Sequence, residues 1–218
     1  MDDKDTGRLE AFSDGVIAVA ITLLVLNINI SPFGPSNNLI NDDALWHSFL
    51  NKWPLLAAFV TSFATIGIMW LNHHRLFKQI KHTDTGLLLI NLLLLMIIVF
   101  IPVPTALLAE YITQPDYHAA ALIYSGTFFL MACCFNLLWR YASYQGRLLG
   151  KDVDPRVVKA ISQQYLFGPL LYIFAFGLAW WNTPVSIVFQ FVLTLFFALP
   201  GRPPRPRYDD ANRLSRVE

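Results

Sequence analysis

The sequence is poor in charge and in cysteine, and each shortage excludes a class of protein. Only 14% of the 218 residues are charged, whereas ordinary globular domains carry about a quarter. The two cysteines, Cys133 and Cys134, are adjacent in an apolar stretch, so they form neither a disulfide framework nor a set of metal ligands. No glycine-rich nucleotide loop, no internal repeat and no segment large enough for a soluble domain is evident. The chain is therefore not predicted to be a soluble globular protein.

Apolar residues, in contrast, make up 55% of the chain and are concentrated in blocks. Each block approaches the length of about 17–25 residues that crosses a bilayer. We predict an all-α membrane protein with a six-helix transmembrane domain over 11–200, a short arm over 1–10 and a basic tail over 201–218. The six predicted transmembrane helices lie at 11–30, 53–71, 86–109, 118–139, 157–181 and 184–200.

The distribution of basic residues predicts the orientation. With six spans, fifteen of the sixteen Lys and Arg residues fall on one side and only Lys52 falls on the other. Basic residues favour the cytoplasmic side, so both termini are expected there. The acidic start MDDKD lacks the features of a secretory signal, so the first helix is expected to remain. The tail segment RPPRPR is expected to contact anionic lipid headgroups, not nucleic acid.

The first apolar block, RLEAFSDGVIAVAITLLVLNI, carries a regular stripe along one helical face. The residues of this stripe recur at alternating spacings of four and three, as in a heptad seam: Arg8, Phe12, Gly15, Val19, Thr22, Leu26 and Asn29. Polar ends and an aliphatic centre suit a narrow pore between symmetry-related helices, where an apolar constriction gates by dewetting. A plain packing seam is the simpler alternative, because Gly15 and Ala18 allow helices to approach closely.

Asp14 lies about 100° away from this stripe and has no basic residue three or four positions away. A carboxylate within an apolar span needs a partner, which must come from another helix. The cytoplasmic end of the second block supplies candidates in WLNHHRLF, namely Trp70, Asn72, His73, His74 and Arg75. We expect Ser13 and Asp14 to join these residues, with Asn91 of the third block as a further member.

The adjacent histidines leave other functions open. A proton relay or proton-coupled transporter would use Asp14 with His73 or His74. An intramembrane acyl transferase would use a histidine base, but no nucleophile and oxyanion site accompany it. A zinc site lacks the spacing that metal ligands need, since adjacent helical residues point about 100° apart. A non-conducting scaffold, held together by the stripe, is the remaining alternative.

The motif R-x-x-x-F-S-D, formed by Arg8, Phe12, Ser13 and Asp14, resembles the signature of the lysosomal potassium channel family, transmembrane protein 175, in its prokaryotic branch. The segments WLNHHRLF and NLLLLMIIVFIPVPTALLAEY (91–111) are also similar to that family. The resemblance implies a six-span subunit of the bacterial inner membrane that forms a homotetramer around its first helix. It also implies passive potassium conduction without a TVGYG filter, which this chain lacks, and with no enzymatic activity and no cofactor beyond the permeant ion.

The resemblance further assigns roles to individual residues. The constriction would be formed by Val19, Thr22, Leu23 and Leu26, and Val19 stands where family members often have isoleucine. The pore helix would be anchored by a network of hydrogen-bonding side chains, with Asp14 as a scaffold residue and not an ion ligand. This predicted network comprises Arg8, Phe12, Ser13, Asp14, Trp70, Asn72, His73, His74 and Asn91.

Overall fold

The computed structural model describes residues 3–27, 42–111 and 118–198, and within these ranges the chain is helical apart from short connections. Three parts of the sequence lie outside the described residues: Asn29 at the end of the predicted stripe, the segment 31–38 and the predicted tail 201–218. The described ranges contain eight α-helices: α1 (Asp3–Leu23), α2 (Asp42–Asn51), α3 (Trp53–Gln79), α4 (Thr85–Phe100), α5 (Pro102–Tyr111), α6 (His118–Ser143), α7 (Pro155–Trp181) and α8 (Thr183–Ala198).

The helices are those of a membrane protein. Five helical stretches in the described ranges are long and apolar enough to cross a bilayer: Thr6–Leu26, Leu55–Gln79, Thr85–Tyr111, His118–Gly146 and Pro155–Trp181. The remaining apolar helix, α8, has 16 residues and a length of about 24 Å. It is therefore shorter than the hydrocarbon core of about 30 Å.

Helix boundaries differ from the predicted spans mainly at their polar ends. Helix α1 begins at Asp3, well before the predicted start at residue 11, and its last turn continues as a 3-10 helix over Leu24–Asn27. Helix α3 extends to Gln79, because the hydrogen-bonding residues after Trp70 remain helical. Hydropathy marks only the apolar part of such helices, so it underestimates their length.

The predicted third span consists of two helices. Helix α4 ends at Phe100 and α5 begins at Pro102, with Ile101 between them. Proline cannot donate a backbone hydrogen bond and crowds the preceding turn, so Pro102 and Pro104 separate the two helices as expected. Pro169, in contrast, lies inside a helix that continues to Trp181.

The N-terminal end of α1 lies beside the connections between α3 and α4 and between α6 and α7. The hydroxyl of Thr6 donates to the carbonyl of Lys81 over 3.1 Å, and the amide of Lys81 donates to the carbonyl of Leu148 over 2.9 Å. Asp84 caps α4 and also accepts hydrogen bonds from Tyr141 and Arg147, each over 3.0 Å. The segments that carry most of the described basic residues therefore meet at one end of the bundle.

Polar side chains also connect the helices in the middle of the bundle. The pairs Ser62–Thr105 and Thr65–Thr194 lie 2.7 and 3.1 Å apart. Each pair links α3 to another helix, which satisfies hydroxyl groups that lipid could not solvate. These contacts form a rigid bundle against which α1 packs through α3 and α4.

Candidate functional site

Helix α1 has one face inside the bundle and one face outside it. The buried positions share one side of the helix and are Leu9, Ser13, Ile17, Ala20 and Leu24. The predicted stripe occupies the opposite side, and each described member of it is exposed: Arg8, Phe12, Gly15, Val19, Thr22 and Leu26. A single subunit thus leaves uncovered the surface that the sequence pattern singled out.

The exposure of this stripe increases toward the C-terminal end of the helix. Val19 is 54% exposed and Leu26 is 72% exposed, whereas Leu23 at the margin of the stripe is 37% exposed. No atom lies within 4 Å of the position that a Cβ would take at Gly15. Within the described residues, the stripe is therefore largely exposed and is open at Gly15.

Ser13, on the buried face, begins a chain of hydrogen bonds across three helices. Asn91 of α4 donates from its amide to the hydroxyl of Ser13 over 2.9 Å, and Ser13 donates to the carbonyl of Leu9 over 2.8 Å. The Nε2 atom of His73 in α3 lies 2.9 Å from Oδ1 of Asn91. Because that oxygen can only accept, Nε2 of His73 must carry the proton.

His73 is fully buried and its ring stacks on Phe77 with a centroid separation of 4.3 Å. Its Nδ1 atom has no hydrogen-bond partner in the described structure. A neutral ring protonated at Nε2 leaves Nδ1 as a bare acceptor, which avoids burying an unpaired donor. Ser13, Asn91 and His73 thus form a directional chain that joins α1, α4 and α3.

A second set of contacts lies nearer the surface. The indole of Trp70 donates to Oδ1 of Asp14 over 2.8 Å. One helical turn away, His74 forms an ion pair with Glu10, and its ring stacks against that of Trp70 with centroids 6.3 Å apart. Asp14 therefore has its partner on α3, and Glu10 is a member of this region that the sequence argument did not select.

The remaining residues of the predicted network lie elsewhere. Asn72 and Arg75 turn toward the C-terminal end of α8, where they donate to the carbonyls of Phe197 and Ala198 over 3.5 and 3.3 Å. Arg8 and Phe12 lie on the exposed stripe, on the side of α1 away from Ser13. The structure thus brings Ser13, Asn91 and His73 together. It forms two further pairs, Asp14 with Trp70 and His74 with Glu10. The other predicted members, Arg8, Phe12 and Asn72, lie apart from these contacts.

Thr22 is the polar residue in the apolar part of the stripe. Its hydroxyl donates to the carbonyl of Val19 over 2.8 Å. The hydrogen of the hydroxyl is therefore engaged, while the oxygen retains lone pairs toward the open side of the helix. Such an oxygen can accept a hydrogen bond from water or contact a cation.

Two alternatives left open by the sequence, a zinc site and histidine-based catalysis, concern the surroundings of His73 and His74. Within residues 3–27, 42–111 and 118–198, no group of three or more His, Cys, Asp or Glu side chains is placed to hold a metal ion. The ring of His73 meets an amide and not a nucleophilic hydroxyl or thiol. The hydrogen bonds described for Asp14 and His73 lead to different partners, Trp70 and Asn91.

Comparison with known proteins identifies the family. The family model described as "Endosomal/lysosomal potassium channel TMEM175" matches residues 8–102. A potassium channel of Chamaesiphon minutus is 46% identical over 198 residues, which cover 91% of this chain and 96% of the relative. The chain belongs to the TMEM175 family.

A solved TMEM175 homologue agrees with this chain in fold, and a more distant relative is similar in sequence. The crystal structure of a TMEM175 homologue from Chamaesiphon minutus, described as a lysosomal potassium-selective channel homologue, superposes with a TM-score of 0.80 at 44% identity. It covers 92% of this chain and all of the other. A human endosomal/lysosomal proton channel is 30% identical over 138 residues, which are 62% of this chain and 27% of the human protein. The TMEM175 family is a family of ion channels, and the motif-bearing first half of the chain carries the family match.

Proposed function

We propose that this chain is the subunit of a homotetrameric, potassium-permeable cation channel whose central pore is lined by α1. The observation that carries the proposal is the exposed stripe on α1, opposite the face that packs on α3 and α4. Relatives named as potassium channels support the choice of ion.

The composition of the stripe favours a water-filled path over a lipid-facing surface. Arg8 and Thr22 are exposed on it, and a polar or charged side chain facing lipid is costly. Symmetry-related copies of α1 around an axis would remove the stripe from lipid and give it a shared polar entrance at Arg8. Helix α8 would complete a six-span subunit, with both termini at the cytoplasmic face of a bacterial inner membrane.

The constriction would form where the stripe is aliphatic, at Val19, Leu23 and Leu26. Rings of these side chains would control hydration of the path, as hydrophobic gates do. Thr22 would supply an oxygen between them, because its hydrogen is bonded to the carbonyl of Val19. Only the permeant potassium ion would bind, and only transiently.

The buried face of α1 would hold the pore helix in position. Ser13 with Asn91 and His73 on one side, and Asp14 with Trp70 on the other, fix α1 to two neighbouring helices through hydrogen bonds. Asp14 would then be a scaffold residue, since its carboxylate is directed to α3 and lies away from the stripe. Packing of α1 against a fixed bundle would keep the width of the constriction constant.

Proton conduction is the second candidate, favoured by the relative named as a human proton channel. The buried Nδ1 of His73 is an unpartnered proton acceptor in the described structure. A relay would require a proton to pass between Asp14 and His73, whose hydrogen bonds in this structure lead to different partners. This candidate therefore predicts that Asp14 or His73 variants abolish proton flux.

Ion flux from purified protein in liposomes tests the proposal. A potassium gradient, a sodium gradient and a proton gradient are applied separately to the wild type, to Leu26→Ala and to Leu89→Ala. Leu89 is a matched control because it is 62% exposed on the side of α4 opposite its buried residues. We expect potassium flux above sodium flux, increased by Leu26→Ala and unchanged by Leu89→Ala. Proton flux without potassium flux would favour the second candidate, and no flux from intact tetramers in any variant would favour a scaffold.

A further inference from the structure

The tryptophans are distributed unevenly between the interior and one end of the bundle. Trp139 is fully buried, whereas Trp46, Trp53, Trp180 and Trp181 are each more than 60% exposed. Trp180 and Trp181 end α7, and Trp53 begins α3. Helix α3 ends beside the connection between α6 and α7, so the start of α3 and the end of α7 lie at the same, opposite end of the bundle. Exposed tryptophans at a common depth are typical of a membrane–water interface.

Helix α2 places further large apolar side chains at this end. Leu45, Trp46, Phe49 and Leu50 are exposed or half-buried and lie within about 140° of one another around the helix. The rings of Trp46 and Phe49 meet edge to face with centroids 6.1 Å apart. His47 is exposed and lies about 130° from the centre of this face. Asp42, in the first turn, is on the same side as Leu45 and Phe49 and lines a surface pocket with them. Helix α2 is therefore amphipathic only after its first turn, where the apolar face is largely exposed within the described structure.

We propose that α2 is an interfacial helix that binds the outer surface of the phospholipid bilayer through this apolar face. A single residue, Lys52, separates α2 from Trp53 at the start of a bilayer-spanning helix. The apolar face of α2 therefore begins at the depth where the hydrocarbon core ends. Short amphipathic helices lie in this zone with their apolar face about 5–10 Å deep.

Charge predicts the kind of lipid surface that α2 recognises. Helix α2 begins with two aspartates and contains no Lys or Arg, so electrostatic attraction to anionic headgroups does not contribute. Its binding depends on buried apolar area, and anionic lipid should not strengthen it because the aspartates would be repelled by anionic headgroups. The opposite end of the bundle carries nearly all of the described basic residues. Its contact with the membrane is expected to depend on lipid charge and on salt concentration.

Collision-rate measurements with a spin label test whether lipid, water or protein contacts the apolar face of α2. Single cysteines replace Leu45, Phe49, Leu50 or His47 in a chain whose Cys133 and Cys134 are alanine, and each labelled protein is reconstituted in zwitterionic liposomes. Oxygen concentrates in lipid, whereas a chelated nickel complex stays in water. We expect oxygen collisions to exceed nickel collisions at residues 45, 49 and 50, and the reverse at residue 47.

Each other outcome would overturn the proposal. Nickel collisions at residues 49 and 50 equal to those at residue 47 would place α2 in water. Low collision rates with both reagents would mean that protein, such as a neighbouring subunit, covers the face. A deeper position of α2 when anionic lipid is added would contradict binding through apolar area, because it would require an electrostatic attraction that the two aspartates do not provide. These readouts do not depend on ion conduction, so they stand whether or not the flux experiment supports the channel.

Discussion

The two faces of α1 differ in what they contact and in what they can do. On one face, Ser13 is fully buried and belongs to a chain of hydrogen bonds with Asn91 and His73. On the other, Val19 and Leu26 are more than half exposed within the described structure. Substitutions on the first face should therefore change stability, whereas substitutions on the second should change flux.

The largest loss of stability is expected from Asn91→Leu. This change removes the acceptor for His73, which leaves its buried Nε2–H unsatisfied, and it removes the donor to Ser13, whose hydroxyl keeps only its bond to Leu9. An unsatisfied buried polar group costs about 1–3 kcal/mol. The midpoint of thermal unfolding in detergent should fall sharply relative to Leu89→Ala. An unchanged midpoint would mean that the hydrogen-bond chain does not hold α1.

A smaller loss is expected from Asp14→Ala, because Trp70 is 40% exposed and can be partly solvated. The free energy of unfolding should fall by about 1 kcal/mol, with fewer intact tetramers and the same preference for potassium over sodium. Trp70→Phe is the matched variant, and the double variant should cost little more than either single one. Normal tetramers with altered ion preference would make Asp14 an ion ligand after all.

The ion pair between Glu10 and His74 should contribute less. His74 is exposed, and exposed ion pairs contribute about 0–1 kcal/mol. Glu10→Gln should therefore shift the unfolding midpoint slightly, and the shift should diminish as salt is added. A shift in the unfolding midpoint as large as that of Asn91→Leu would mean that this surface pair stabilises the position of α1 as much as the buried hydrogen-bond chain does.

The smallest effect on stability is expected on the exposed face. Leu26→Ala and Val19→Ala remove side chains that contact little within the subunit, so the unfolding midpoint should stay close to that of the wild type. Flux through the reconstituted protein should nevertheless rise, because the constriction widens. Loss of tetramers in both variants, with no change in flux from those that remain, would make the stripe a packing seam.

Periodicity predicted the exposed stripe well, because a helix that packs on one side must alternate its residues at spacings of three and four. Hydropathy identified the start of α3 but placed its end at residue 71 instead of Gln79. The break at Pro102 follows from the prolines and not from hydropathy, which predicted one span over 86–109. Hydropathy could not find α2, since ten residues with aspartates at the start are too short and too polar to resemble a span. The position of Glu10 beside His74 follows from the rotation of α1 against α3, which sequence spacing does not contain.

Side-chain direction was the weakest part of the sequence argument. Five polar or aromatic residues in WLNHHRLF were assigned to one cluster, yet neighbouring residues on a helix point about 100° apart. Asn72 and Arg75 therefore contact α8, while His73 and His74 contact α4 and α1 in turn. The same rule, applied to α3 as it was to α1, would have separated them.

Chemical modification of single cysteines tests most directly whether the stripe lines the pore. Thr22→Cys lies on the stripe, and Leu89→Cys is the control on another helix, since Leu89 is 62% exposed on the side of α4 opposite its buried residues. Both are placed in a chain whose Cys133 and Cys134 are alanine, and potassium flux is measured before and after a small cationic thiol reagent. The account predicts block of Thr22→Cys and little change in Leu89→Cys. Block of Leu89→Cys alone, or full flux from both after complete labelling, would contradict it.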